Sequence, residues 1–295
     1  MDVVPLGPGF AAELRGVTLA DIANDDAAYA AARAAFEEHS VLVFRGQQVT
    51  DESQLAHSCR FGPPETTKVG SLGTGSYFVI LTTIGLDGKV VPSDHRYAMR
   101  NKANQLWHTD SSFKRTPALT SILSARVIPE NGGETEFVST RLAFARLDPA
   151  LQAKVANSFA CHDYNHSRSQ IAEGLATPEE RAALPPVCWR MVWKNPVNGQ
   201  GALYLASHAY AVEGMEAADG KKLIDELMAA ATAPGTSYVH TWKAGDVVMW
   251  ANRAPMHRCR PWPAPEARLM VRTTISATAA DGLESMRPPA QQAAE

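Results

Sequence analysis

Two short stretches of this chain carry the residue types that could do chemistry. Trp107-His108-Thr109-Asp110 sets a histidine and a carboxylate two residues apart, and Trp250-Ala251-Asn252-Arg253-Ala254-Pro255-Met256-His257-Arg258 carries a second histidine. If the first stretch is a strand, side chains alternate in direction, so His108 and Asp110 project to one face, about 7 Å apart along the backbone, and can converge on one ion. His257 follows a strand candidate late in the same β-rich region and is the candidate third ligand. Two histidines and one carboxylate on one face leave three metal positions open, the arrangement associated with non-haem iron(II) oxygenases.

An isolated His-x-Asp pair decides little, because most histidines merely hydrogen-bond at surfaces or in cores. Two arginines add weight. Arg268 lies eleven residues after His257 and Arg272 four beyond that, on a strand candidate whose period of two puts both on one face. A guanidinium inside a β structure is costly without an anion beside it, so anionic ligands are implied.

The elements that must position these residues are mostly short strands. Candidates after Gln105 are Leu106–Asp110, Thr120–Val127, Glu136–Val138, Val187–Trp193, Ala202–Leu205, Ser237–Trp242, Asp246–Trp250 and Leu269–Ser276. Their spacing suggests an antiparallel barrel or sandwich. Ahead of them the chain reads as strand, helix, strand, helix, with a helix near Asp26–Glu38, the run Val41–Phe44, and a helix from Asp51 to Arg60 stopped by Phe-Gly-Pro-Pro-Glu at 61–65. Later helices are expected at Thr177-Pro178-Glu179-Glu180, a capping box with proline in the first turn, and at Gly220–Ala231. Between Lys68 and Asn104 a Gly-rich polar segment surrounds one strand candidate, Phe78–Thr83, and part of it reads as a lid. The chain is expected to form one domain over 1–278 with a frayed tail over 279–295, which is rich in Ala, Pro and Gln.

Composition removes several function classes. The 28 basic and 31 acidic residues are spread along the chain for a net charge of −3, so no basic stripe offers nucleic acid a footprint. The start, MDVVPLGPGF, has neither the basic flank nor the apolar run of a signal sequence, and nowhere do 18 apolar residues follow one another. A cytoplasmic protein without a membrane partner is expected. Cys59, Cys161, Cys188 and Cys259 form no Cys-x-x-Cys pair, which argues against structural zinc or an iron–sulfur cluster and predicts free thiols in a reducing compartment.

His-x-Asp, a distal histidine after Trp-x-Asn-Arg, an arginine eleven residues later and Arg-Thr-Thr-Ile closing the core together resemble the taurine dioxygenase and 2,4-dichlorophenoxyacetate dioxygenase family. The resemblance runs from the Ser40–Gly46 strand to Thr274. It is most specific at Asn104–Phe113, Gly132-Gly133-Glu134-Thr135 and Trp250–Arg272. Gly85–Val90, Ala103–Phe113 and the His208–Gly214 stretch look most like the phenoxyacetate-degrading branch.

The resemblance implies a mainly β fold with flanking helices, a double-stranded β-helix or jelly roll. It implies iron(II) held by His108, Asp110 and His257, with 2-oxoglutarate as cosubstrate and dioxygen as oxidant. Thr135 and Arg268 would hold the distal carboxylate of 2-oxoglutarate, Arg272 would face the anionic group of a small organic substrate, and Asn104 matches a substrate-side position. Iron, Asp110, 2-oxoglutarate and Arg268 then balance in charge and leave Arg272 unmatched, so a monoanion is expected. An aryloxyacetate cleaved to a phenol and glyoxylate fits this. So would a taurine-like sulfonate or an alkyl sulfate, and a non-catalytic jelly-roll binding protein is the reading from another class. The sequence leaves open whether the protein is a homo-oligomer. Ala251 departs from the Asp or Asn common in relatives, and any hydrogen bond from that side chain is lost.

Overall fold

Val41–Phe44 shows how the core is laid out. Val41 and Val43 face one cluster of buried residues while Leu42 and Phe44 face another, the alternation of a strand buried on both sides. The computed structural model describes residues 1–289, and this strand belongs to a seven-stranded sheet. Its order is Asp2–Pro5, Ala12–Arg15, Val41–Phe44, Val247–Ala251, Ala118–Val127, Leu269–Ser276 and Val79–Thr82. Neighbours are antiparallel except for the pair Ala12–Arg15 and Val41–Phe44.

Helices cover one face of this sheet. The alanine-rich helix Asp26–His39 is capped by Asp25, whose side chain accepts from the Ala28 amide, and it stops where Ser40 takes a left-handed conformation. Its Ala32 and Phe36 meet Leu42, Phe44, Val247 and Met249 in one cluster. On the other face lies a three-stranded antiparallel sheet ordered Ser237–His240, Thr135–Ser139, Pro255–Cys259. Phe137 of this sheet meets Trp250 of the larger one with ring centroids 5.6 Å apart, and Val43, Leu123, Val248 and Met270 complete that inter-sheet core.

Most expected elements lie where the hydrophobic pattern puts them, including helix Asp51–Cys59, the Thr177-capped helix Pro178–Ala183 and strand Leu269–Ser276. Leu106–Asp110 does not form a strand. It makes one isolated bridge, His108 opposite His257. Val187–Trp193 divides into Val187–Arg190 and Val192–Lys194, each pairing with a different partner. The segment read as part lid contains a helix, Arg96–Ala103, whose first turn is capped by His95.

Two expectations are corrected in part. Cys161 and Cys188 face each other across the antiparallel pair Phe159–His162 and Val187–Arg190 and form a disulfide, leaving Cys59 and Cys259 free. Cross-strand register, invisible in the spacing, brings them together, so the cysteines no longer argue for a reducing compartment. The start of the expected tail is also packed. Leu283 and Met286 are buried against Trp189 and Trp193, and the Trp193 indole donates to the Asp281 carbonyl at 2.9 Å. Residues 290–295 lie outside the described part. No helix among the described residues is long and apolar enough to cross a membrane.

The disulfide gives a direct test. Thiol titration of the denatured, unreduced protein should find two reactive cysteines, rising to four after reduction, with both new thiols lost in a Cys161→Ser/Cys188→Ser double variant. Four thiols before reduction would remove the cross-link.

Candidate active site

Where a strand was expected, a single bridge does the positioning. The His108 amide donates to the His257 carbonyl at 3.0 Å and the His257 amide donates back at 2.8 Å, which sets the two rings side by side with centroids 4.2 Å apart. His108 Nδ1 lies 2.7 Å from the Leu106 carbonyl oxygen. A carbonyl can only accept, so Nδ1 carries the proton and Nε2 keeps its lone pair for the cavity. That Nε2 is 4.0 Å from Asp110 Oδ1, and His257 Nε2 is 3.7 Å from Asp110 Oδ2. One ligand atom from each of the three residues lies within 4.8 Å of the others, and all three residues are buried.

Alternation still holds over these few residues. Thr109 turns away and donates to the Asn252 carbonyl at 2.5 Å. Asn252 is the organiser that sequence reasoning missed. Its Oδ1 accepts from the Asp110 amide and from the Trp250 indole, both at 3.0 Å, and its Nδ2 donates to Ser121, whose hydroxyl donates to Asp110 Oδ2 at 2.7 Å. The signal was present, because Trp250 and Asn252 are two apart in Trp-x-Asn-Arg. Ala251 between them points into the helix-side core, away from the site, so an Asp or Asn side chain there is not what orders Asp110.

Desolvation depresses both imidazoles, His257 well below its ordinary value, so each is a neutral donor at neutral pH. Burial opposes ionisation of Asp110, but the Arg272 guanidinium, with the hydrogen bond from Ser121, outweighs it and holds the carboxyl at about 2. Two neutral imidazoles and one ionised carboxylate are what a divalent metal requires of these residue types.

The cavity beside this cluster has two lobes that meet at Asn104, His108 and Arg272. Thr135, Trp250, Cys259 and Arg268 line the inner lobe. Thr135 opens a strand there. Its hydroxyl accepts from the Trp242 indole at 3.0 Å and keeps its own proton to donate. The Arg268 guanidinium lies 5.0 Å from the Trp262 ring centroid and reaches the Gly133 carbonyl at 3.4 Å. Its Nε is buried without a partner, and no carboxylate among the described residues pairs with it. Gly133 has φ +72°, and a Cβ there would sit 2.9 Å from Pro129 and 3.4 Å from Arg268 Nε, so the glycine is needed for this approach.

Arg272 stands differently from expectation. Its Nη1 donates to Asp110 Oδ1, so its charge is matched by the carboxylate of the cluster. The loop carrying Asp110 crosses the sheet at Ser121 and Arg272, a proximity that spacing along the chain does not show. Asn104 lines both lobes, as a substrate-side residue would.

The outer lobe is a cleft that opens to solvent at its mouth. Phe113, Tyr164 and His208 form an aromatic wall, with Phe113 5.0 Å from Tyr164 and 4.7 Å from His208 between ring centroids. His208 therefore belongs to the chamber, whereas His162 hydrogen-bonds Ser112 and His240 pairs with Asp246. Lys68, Arg96 and Arg100 converge on the buried Glu180 at 2.6, 3.0 and 2.6 Å, and Lys114 pairs with Glu65 at 2.6 Å.

Residues 2–274 match the family described as "Taurine catabolism dioxygenase TauD, TfdA family". The chain belongs to this family. It is 37% identical over 275 residues to the alpha-ketoglutarate-dependent 2,4-dichlorophenoxyacetate dioxygenase of Cupriavidus pinatubonensis, covering 92% of this chain and 96% of that one. It is 34% identical over 283 residues to the (S)-phenoxypropionate/alpha-ketoglutarate dioxygenase of Sphingobium herbicidovorans, covering 93% and 94%. The solved structure of AAD-2 with Mn(II) and N-oxalylglycine superposes with a TM-score of 0.86 at 35% identity, covering 94% of this chain and 98% of that one. As a TauD/TfdA member the chain has the TauD-like fold and is an alpha-ketoglutarate (2-oxoglutarate)-dependent dioxygenase.

Glu180 is the hub on which the outer wall of the TauD/TfdA chamber is fastened, and its titration tests that. Burial opposes its ionisation, but hydrogen bonds from Lys68 and the Thr177 amide, with the charges of Lys68 and Arg100, lower it from 4.5 to about 2. A depressed carboxyl contributes stability above its unfolded value that is lost as pH falls. The stability difference between the wild type and Glu180→Gln should be full above pH 5 and shrink between about pH 4.5 and 2. A difference independent of pH would show that the ion pairs are not what Glu180 contributes.

Proposed function

We propose that this chain is an iron(II)- and 2-oxoglutarate-dependent dioxygenase that hydroxylates an aryloxyacetate, with release of succinate and carbon dioxide. The observation that carries the reading is the cluster of His108, Asp110 and His257 set between a lobe holding an uncompensated arginine and a lobe walled by aromatic rings. The fold that holds it is read as one domain that takes in the packed stretch to Met286 beyond the expected 1–278, a double-stranded β-helix built from the two facing sheets.

The residues fit the groups that the family's chemistry needs. His108, Asp110 and His257 would hold iron(II) with neutral nitrogen and anionic oxygen donors, leaving positions open for 2-oxoglutarate and dioxygen. Arg268, a buried cation lacking a carboxylate, would take the distal carboxylate of 2-oxoglutarate, and the Thr135 hydroxyl would donate to it. When bound, iron, 2-oxoglutarate and dioxygen supply an oxidant able to insert oxygen into a C–H bond. Arg272 keeps Asp110 oriented through Nη1 and, with Asn104, contacts the substrate where the two lobes meet. Phe113, Tyr164 and His208 accept an aryl ring and exclude water from the reacting carbon. Oxygen inserted beside an ether oxygen gives a hemiacetal, which collapses to a phenol and glyoxylate.

Relatives named for aryloxyalkanoates support this substrate class over alkyl sulfonates or sulfates, which the same cluster could serve. Succinate formation coupled to phenol release from phenoxyacetates, and absent with taurine and alkyl sulfates, is the expected outcome. Coupling to the sulfur compounds alone would reverse the assignment, and no turnover of 2-oxoglutarate with any of them would favour a binding protein.

Two sets of variants test the roles. His108→Ala, Asp110→Ala and His257→Ala should each abolish turnover and weaken metal binding measured by titration, since two ligands do not enforce the facial geometry. Substantial activity in any one removes that residue from the ligand set. Arg268→Ala should raise the 2-oxoglutarate requirement far more than the substrate requirement, since losing one buried charge partner costs about 3–5 kcal/mol, or about 10²-fold to several thousand-fold. An unchanged 2-oxoglutarate requirement would assign Arg268 to the fold.

A further inference from the structure

Of the cations that line the outer lobe, all but one pair with a carboxylate among the described residues. Arg272 is matched by Asp110, Lys114 by Glu65, and Lys68 and Arg100, with Arg96 behind them, by the single carboxylate of Glu180. Arg168 is left over. It lines the same lobe as His108, Asp110 and Arg272 and pairs with no carboxylate among the described residues. Resting on the function proposed above, we infer that Arg168 is a specificity-determining residue that receives the anionic group of the substrate and supplies the positive charge that Arg272 has given to Asp110.

Three observations support this. The side chain is anchored but not satisfied: Nη1 donates to Ser167 Oγ at 3.0 Å, while Nε is buried without a partner. The guanidinium lies 4.5 Å from the Tyr164 ring centroid, and Lys68 Nζ lies 4.4 Å from the same centroid. Two cations thus share one phenol ring, and Lys68 already shares its carboxylate with Arg100 and Arg96. A cation over an aromatic face gains less than a partly buried, unpaired guanidinium loses. An anion between Arg168 and the metal cluster removes that deficit, and the planar fork suits a carboxylate or a sulfonate equally. Tyr164 also belongs to the aromatic wall, so the arginine that stacks on it stands at the edge of the surface proposed to hold the ring. The alternative is that Arg168 only packs against Tyr164.

Calorimetric titration of protein loaded with Mn(II) and N-oxalylglycine, which cannot turn over, separates these cases. Phenoxyacetate and its neutral amide, phenoxyacetamide, would be titrated into the wild type, Arg168→Gln and Arg168→Lys, with thermal stability and N-oxalylglycine affinity as controls. The wild type should prefer the acid by about 30-fold or more, as for a charge-paired carboxylate. Arg168→Gln should remove most of that preference by weakening the acid alone, and Arg168→Lys should keep part of it, because charge survives and the two-point fork does not. If Arg168→Gln does not fold, the partial loss in Arg168→Lys carries the test. Equal weakening of acid and amide, or an acid preference untouched by either variant, overturns the assignment. If phenoxyacetate fails to bind the wild type, ethanesulfonate and decyl sulfate take its place. Their binding, lost in Arg168→Gln, keeps Arg168 as the anion receptor while removing the aryloxyacetate. Binding unaffected by the variant, or none at all, rejects Arg168 whatever the substrate.

Discussion

Asp110 has to be ionised at a place from which water is almost excluded, and a buried carboxylate without compensation costs several kcal/mol. The compensation comes from two neighbouring strands. Ser121 donates to the carboxylate from the central strand and Arg272 from the strand beside it, while the Asn252 side chain accepts from the Asp110 amide and so holds the loop in place beside the two neutral imidazoles. The register of Ala118–Val127 between its two neighbours thus decides whether Ser121, Arg272 and Asn252 can reach one carboxylate together. The second sheet contributes His257, and the bridge from His257 to His108 ties the loop carrying Asp110 to that sheet. A slip of one residue in any of these strands would turn a donor to the opposite face and leave the charge exposed to a dry interior.

That constraint also divides the cavity. Arg272 is held at the boundary because Asp110 holds it there, and the two arginines nearest the cluster then differ in kind. Arg272 is a compensated cation and Arg268 is not, although the two lie four positions apart in one stretch and both line the inner lobe. The inner lobe therefore carries a standing demand for an anion, independent of what the outer lobe binds. On the proposed function, this separation would let cosubstrate and substrate be recognised by different charges on either side of the His108, Asp110 and His257 cluster.

Much of this could be read along the chain, for identifiable reasons. His108, Asp110, His257 and Arg268 lie in short stretches whose internal spacing is preserved in space, and the strand Leu269–Ser276 has the bounds its alternation predicts. The disulfide, the Arg272–Asp110 pair and the Glu180 hub join residues far apart in sequence, and periodicity carries no information about cross-strand partners. Leu106–Asp110 shows a subtler failure. The direction of its side chains agreed with an extended backbone while its pairing reduced to one bridge, because the chain must leave the sheet immediately to place Asp110 over Ser121. Ser111, with φ +57°, is where that departure occurs.

The outer wall follows from the same electrostatics carried to larger scale. Lys68, Arg96 and Arg100 come from the segment 68–104, in which Ala103 is the one apolar side chain classed as buried, and such a segment is not held by burial alone. One carboxylate in a short capped helix gathers three cations, and the Thr177 amide adds a fourth contact to its other oxygen. Because three positive charges meet a single negative one, the wall is fastened yet remains net positive toward the chamber. Fastening by a matched set of carboxylates would have held the segment as well, but it would have left the mouth neutral and without long-range attraction for an anion. The excess of cations over carboxylates thus serves both the attachment of the wall and the class of molecule that the chamber admits.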